Sequence, residues 1–142
     1  MLKFTLPSLI AMLLLATASV RVSGDDKPMS APDDEVTGVV AEDALARKAP
    51  AAGVLMTKTP WEALLKTWDV KKPFVVDFEK YLVVVATSQG TTVKLTTKVE
   101  KDGNLIAEVI GSADLQPGFR YVLKRIERSG IKKINGRELP KD

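Results

Sequence analysis

The sequence predicts an α+β, mostly β domain: an antiparallel sheet or sandwich of five or six strands with one short amphipathic helix packed on it, preceded by a signal peptide. Three observations predict it. From Tyr81 to Leu139 the chain is a succession of β-branched or alternating segments parted by Gly-containing turns. Around Trp61 to Trp68 the apolar residues fall instead at helical spacing. Residues 1–24 read as an export leader.

The leader has three parts. Met1-Leu2-Lys3 supplies positive charge, Leu9 to Ala16 is an unbroken apolar run, and Ala16-Thr17-Ala18 or Val22-Ser23-Gly24 offers small residues to a signal peptidase, placing the cut in 18–24. Leu9 to Val20 is well short of the ~20 apolar residues needed to cross hydrocarbon, so a transmembrane helix is the poorer reading. Residues 25–35 are acidic and contain two prolines, and they read as a flexible arm ahead of a single globular β-rich domain over 36–142.

Within the domain, Val36 to Val40 reads as a first strand and Glu42 to Ala49 as a short helix stopped by Pro50. Thr59-Pro60-Trp61-Glu62 has the pattern of a capping box, with Thr59 as N-cap. Trp61, Leu64, Leu65 and Trp68 then form one apolar stripe, giving a helix from about Pro60 to Trp68. That stripe packs on a sheet, since a helix this short does not stand alone. Phe74 to Phe78 reads as a short strand. Tyr81 to Ala86, apolar on both faces, reads as a central strand covered on both sides. Thr92 to Glu100 alternates, with Val93, Leu95, Thr97 and Val99 on one face. Asp102-Gly103 turns it into a returning strand from Leu105 to Ile110. Phe119 to Arg128 is the last long strand, and Asn135-Gly136 marks a type I′ turn in a small terminal hairpin.

The residues from Trp61 to Leu139 also resemble the C-terminal domain family of the bacterial protease-complex protein PrcB. Trp61-Glu62-x-Leu64-Leu65, Pro73, Val76-Asp77-Phe78-Glu79-Lys80, the apolar strand to Gly90 and Ile131-Lys132-Lys133-Ile134-Asn135-Gly136 carry the resemblance. That family has a Gly-rich turn ending in Gly-Tyr, where this chain has Gly90-Thr91-Thr92-Val93. The resemblance implies a compact β domain with a non-catalytic, protein-associating role, and it carries over no catalytic residue.

The 142 residues contain neither Cys nor His. Thiol catalysis and zinc–thiolate sites are therefore excluded, and the commonest base near neutral pH is missing. Two chemical readings remain for a small hydrolase. Asp77 and Glu79 would lie about 6–7 Å apart on one strand face, close enough for a carboxylate pair, although a turn-capping role suits Asp77 better. Ser88, Ser112 and Ser129 would each need a desolvated Lys beside them, and each has a Gly within two residues, the mark of a turn. No cofactor or metal site is expected.

Charge is unevenly spread. Residues 25–43 carry seven acids and one base, and residues 119–142 carry eight bases and three acids. On the last long strand Arg120, Lys124 and Arg128 share a face with Val122 and Ile126, about 13 Å apart in steps of four residues. This stripe has three readings: a site for an acidic protein or an anionic envelope component, a solvated edge strand whose cations discourage aggregation, or a seat for the acidic arm. Nucleic acid is disfavoured by export and by an aromatic content of 6%. The expectation is an exported, non-catalytic binding module of the bacterial cell envelope. A small hydrolase and a structural envelope component are its rivals.

Overall fold

The computed structural model describes residues 34–141. The leader, its cut sites and the arm up to Asp33 lie outside the described residues. The rest is α+β and mostly β: two four-stranded sheets face each other, and one α-helix covers the outer side of the first. The first sheet contains β1 (Glu35–Val40), β2 (Val54–Leu55), β3 (Tyr81–Ser88) and β6 (Phe119–Glu127) in the order β1-β6-β3-β2, all antiparallel. The second contains β4 (Val93–Val99), β5 (Asn104–Gly111), β7 (Lys133–Ile134) and β8 (Arg137–Glu138) in that order, with β5 and β7 parallel.

Two apolar layers hold this arrangement together, one on each face of the first sheet. Under helix α1 (Lys58–Thr67) lie Trp61, Leu64, Trp68, Val83, Val85, Phe119, Tyr121 and Leu123. Between the sheets lie Leu82, Val84, Ala86, Val122, Leu95, Leu105, Ile131 and Ile134. Consecutive residues of β3 enter opposite layers, so this strand is covered on both faces, as its unbroken apolar run requires. Each fully buried aliphatic side chain contributes about 1.5–3 kcal/mol.

Both tryptophans face the sheet. Trp61 stacks on Phe74 at 5.4 Å between centroids, and Trp68 meets Phe119 edge-on at 5.1 Å. The indole N–H of Trp68 donates to the Leu45 carbonyl at 2.9 Å, which ties α1 to the 3-10 helix Asp43–Lys48. The helix begins earlier than its sequence suggests. Thr57 is the N-cap, Thr59 and Pro60 lie inside the first turn, and no side-chain cap bond forms. Glu62 does not close a capping box and instead pairs with Lys58 at 3.5 Å, one turn back.

Phe74 to Phe78 is extended but joins no ladder. Phe74, Val76 and Phe78 turn inward while Val75 is 85% exposed, which is the alternation of a strand. The ladder is replaced by guanidinium groups: Arg125 Nη1 donates to the Val75 carbonyl at 2.7 Å and Arg128 Nη1 to the Phe78 carbonyl at 3.1 Å. Two further boundaries move. Asp34 and Glu35, read as the end of the arm, belong to the domain, and Glu35 opens β1. The last long strand ends at Glu127, so Arg128 lies past it. The turns hold: Gly103, at φ +83°, donates to Glu100 O, and Asn135 and Gly136 take the left-handed pair of a type I′ turn.

Candidate functional site

The exposed basic stripe does not form. β6 lies between β1 and β3, with no free edge to protect, and β4 crosses over the face that carries Arg120 and Lys124. Lys124 is 4% exposed beside Val122 and the inter-sheet layer, its Nζ 3.8 Å from Glu35 Oε2. Arg128 leaves the strand for the Phe78 carbonyl. The three cations therefore share no surface, and the solvated-edge reading falls with the stripe. Arg120 is different. It is half-buried, and its Nη1 atom is buried with no hydrogen-bond partner among the described residues. Burying a guanidinium nitrogen without an acceptor is costly.

The surroundings of Arg120 follow from strand register. Glu35, Thr37 and Val39 of β1 stand opposite Lys124, Val122 and Arg120 of β6. All six side chains point toward the second sheet, because the intervening Val36 and Val40 belong to the helix-side layer. β5 packs across β3 and β4 packs across β3 and β6, and the residues of β1 on this face stay exposed. Glu35 and Thr37 are exposed there, and Val39 is 62% exposed. β4 is the edge of its sheet on this side, paired with β5 alone. Among the described residues, the exposed Thr37 and Val39 of β1 and the edge strand β4 thus border one open strip.

A second concave feature, an open cavity of about 510 Å³, lies on the helix side of β1. Gly38, Trp68, Asp69, Lys71 and Tyr121 help to line it. Tyr121 crosses over Gly38 so closely that a Cβ there would come within 2.3 Å of the phenol oxygen, which explains a glycine in mid-strand. Burial and then the charge of Asp69 push the Tyr121 phenol up from its usual range. Asp69 is committed to Lys71 at 2.6 Å.

The residues weighed for hydrolysis are occupied by turns. Asp77 Oδ1 accepts the Glu79 N–H at 3.1 Å and the Asp77 carbonyl accepts the Tyr81 N–H at 2.8 Å, so Asp77 caps the turn into β3. Ser88 Oγ accepts the Gly90 N–H at 3.1 Å, and Ser112 Oγ accepts the Thr92 N–H at 3.1 Å. Hydrogen bonds from the Ser112 and Thr91 hydroxyls, with the Thr91 N–H, hold the Asp114 carboxyl down at about 2. This cluster stitches the start of β4 to the end of β5. The desolvated lysine, Lys124, stands opposite Val84 in the β3–β6 ladder, four positions along from Ser88, which faces Arg120.

Sequence reasoning missed two things. Arg125 is the hub of the helix-side rim: Nε and Nη2 donate to Asp34 Oδ1, Nη1 binds Val75, and the guanidinium lies 4.9 Å from the Tyr81 ring centroid and 5.7 Å from that of Phe74. Its odd position among Tyr121 and Leu123 was the available signal. The open strip was missed because alternation names the residues that share a face and says nothing of how far the opposite sheet extends. No helix among the described residues is long and apolar enough to cross a membrane. No family model, curated protein or solved structure matches the chain.

Proposed function

We propose that this is an exported, non-catalytic interaction module that binds an extended peptide segment of a partner protein in the strip beside β1. The observation that carries the reading is the exposed face of β1 at Thr37 and Val39 beside β4, which among the described residues is the edge strand of the second sheet. Such an edge offers a row of main-chain N–H and C=O groups, and adding a strand is a recurring mode of peptide recognition. The leader read from residues 1–24 accounts for export, and the resemblance to the PrcB C-terminal domain family agrees with a protein-associating role.

The test is selection from a display library of random short peptides on the mature protein and on its Val39→Glu variant. Val39 is exposed enough for the fold to accept the change. Peptides enriched by the wild type and not by the variant support the reading. No enrichment, or the same peptides on both, overturns it.

A further inference from the structure

We infer that Asn135 is a modification site: its side-chain carboxamide stands in for a strand residue at the edge of β5, and its spontaneous hydrolysis to an acid uncouples the closing hairpin from that edge. The site lies on the β7 side of β5, away from the open edge of β4, and it does not depend on the binding reading above.

β5 needs such a stand-in. It pairs with β4 along its length, but on its other side β7 pairs with Asn104 and Leu105 alone. The ladder continues through one main-chain bond, from the Asn135 N–H to the Leu105 carbonyl at 2.9 Å. The Asn135 side chain then takes over. Its Oδ1 accepts the Ala107 N–H at 2.8 Å and its Nδ2 donates to the Ala107 carbonyl at 3.1 Å, the two-bond exchange of a paired strand residue. Beyond Ala107 no described strand continues the β7 side, and Val109 and Ile110 are half exposed.

The same carboxamide is the chain's most labile one. The sequence has two asparagines, and Asn135 alone precedes a glycine. A following residue without a side chain leaves its main-chain nitrogen free to reach the carboxamide carbon. In that reaction the Gly136 nitrogen gives its proton to solvent base and attacks Asn135 Cγ. An N–Cγ bond forms, the Cγ–Nδ2 bond breaks, and the side-chain nitrogen leaves as ammonia with a proton from water. Water then opens the cyclic imide to aspartate or isoaspartate. The fold restrains both reacting groups. The carboxamide is held on Ala107, and the Gly136 N–H donates to Asn104 Oδ1 at 2.9 Å. Asn104 is buried, and its Nδ2 donates to Glu100 Oε2 at 2.9 Å, which fixes where its oxygen points. Cyclisation therefore waits for the closing hairpin to open. Refolding does not reverse it, because a carboxylate is an acceptor only and has no donor for the Ala107 carbonyl.

The experiment incubates the mature protein, and separately a free peptide spanning Ile131 to Leu139, at neutral pH and reads conversion by mass and peptide mapping. Conversion in the protein should fall at Asn135 and run about tenfold to a thousandfold more slowly than in the peptide, because only opened molecules react. Glu100→Ala, a change at an exposed position that frees the Asn104 side chain, should bring the rate about threefold or more toward that of the peptide, and Asn104→Ala further still. Asn135→Asp carries the product from the start. It should speed hydrogen exchange at the main-chain amides of positions 107 and 135 by about tenfold and leave those of β3 and β6 unchanged.

Conversion in the protein at the peptide's own rate, or none while the peptide converts fully, overturns the inference. So does a rate that neither Glu100→Ala nor Asn104→Ala moves. Unaltered exchange at position 107 in Asn135→Asp would mean that the carboxamide holds nothing, and overturns it as well. That last measurement stands even if Asn104→Ala folds poorly.

Discussion

Val39 stands directly across from Arg120 in the β1–β6 ladder and is 62% exposed. Cross-strand neighbours on one face normally interact with each other, yet this pair joins an exposed aliphatic side chain to a cation with a buried, unanswered donor. Neither residue completes the other. The same face one step away is self-sufficient: Glu35 opposes Lys124 and supplies its counter-charge. The two pairs differ: Lys124 has a counter-charge on the neighbouring strand, and Arg120 Nη1 has no acceptor among the described residues.

Lys124 gives the first prediction. Its ammonium has lost most of its water for one carboxylate 3.8 Å away, and the Glu35 side chain is still 39% exposed. Desolvation of such a group offsets most of the Coulomb attraction. Lys124→Met keeps the stem's packing and removes the buried charge, so chemical denaturation should show stability unchanged or raised by about 1–2 kcal/mol. Glu35→Ala should be destabilising, because it leaves the buried ammonium alone. A loss of more than about 1 kcal/mol for Lys124→Met would contradict this assignment.

Arg125 behaves in the opposite way. Its guanidinium joins the first described residue, Asp34, to the ladder-less Val75 and lies against Tyr81 and Phe74. Lysine cannot reproduce a planar fork that binds two acceptors and stacks on rings. Arg125→Lys should therefore cost about 2–3 kcal/mol, nearly as much as Arg125→Ala. A double-mutant cycle with Asp34→Asn should return a coupling of about 1–2 kcal/mol.

Asp114 tests the stitch between β4 and β5. Its carboxyl sits at about 2 against an ordinary 3.8, held down first by the Ser112 hydroxyl and then by Thr91. The folded-state value is the lower one. The carboxylate's support for the fold is thus complete above the ordinary value and is lost as pH falls through the folded one. Carbon-detected NMR titration should find the low midpoint in the wild type and a return toward 3.8 in Ser112→Ala.

Export is tested at the amino terminus. Mass spectrometry of the protein recovered from outside the cytoplasm should find a chain that starts between Ser19 and Asp25, with the apolar run removed. A chain that retains Met1-Leu2-Lys3 would contradict the leader.

Much of this fold is legible in the sequence, for local reasons. The hairpin of β4 and β5 is written in strict alternation and an Asp-Gly turn, and the closing hairpin in Asn135-Gly136. The unbroken run of β3 announces its two covered faces. The parts that were not legible depend on distant partners. β2 is two residues long, and the parallel pairing of β5 with β7 carries no local signature. Phe74 to Phe78 has the alternation of a strand, but its carbonyls bind arginines from 50 residues away instead of a neighbouring strand. The phase of Arg120 and Lys124 was readable, and so was their company with Val122 and Ile126. Whether that face met water or a second sheet was set by the crossing of β4, which no pattern within Phe119 to Glu127 encodes.

The most direct measurement of the central claim is amide hydrogen exchange across β4 and β1 with and without a peptide selected on the mature protein. Binding in the strip by strand addition predicts new protection at alternate amides of Val93–Val99, with β1 amides little changed. Protection confined to other elements, or saturated binding with no slowing anywhere in β4, would contradict it.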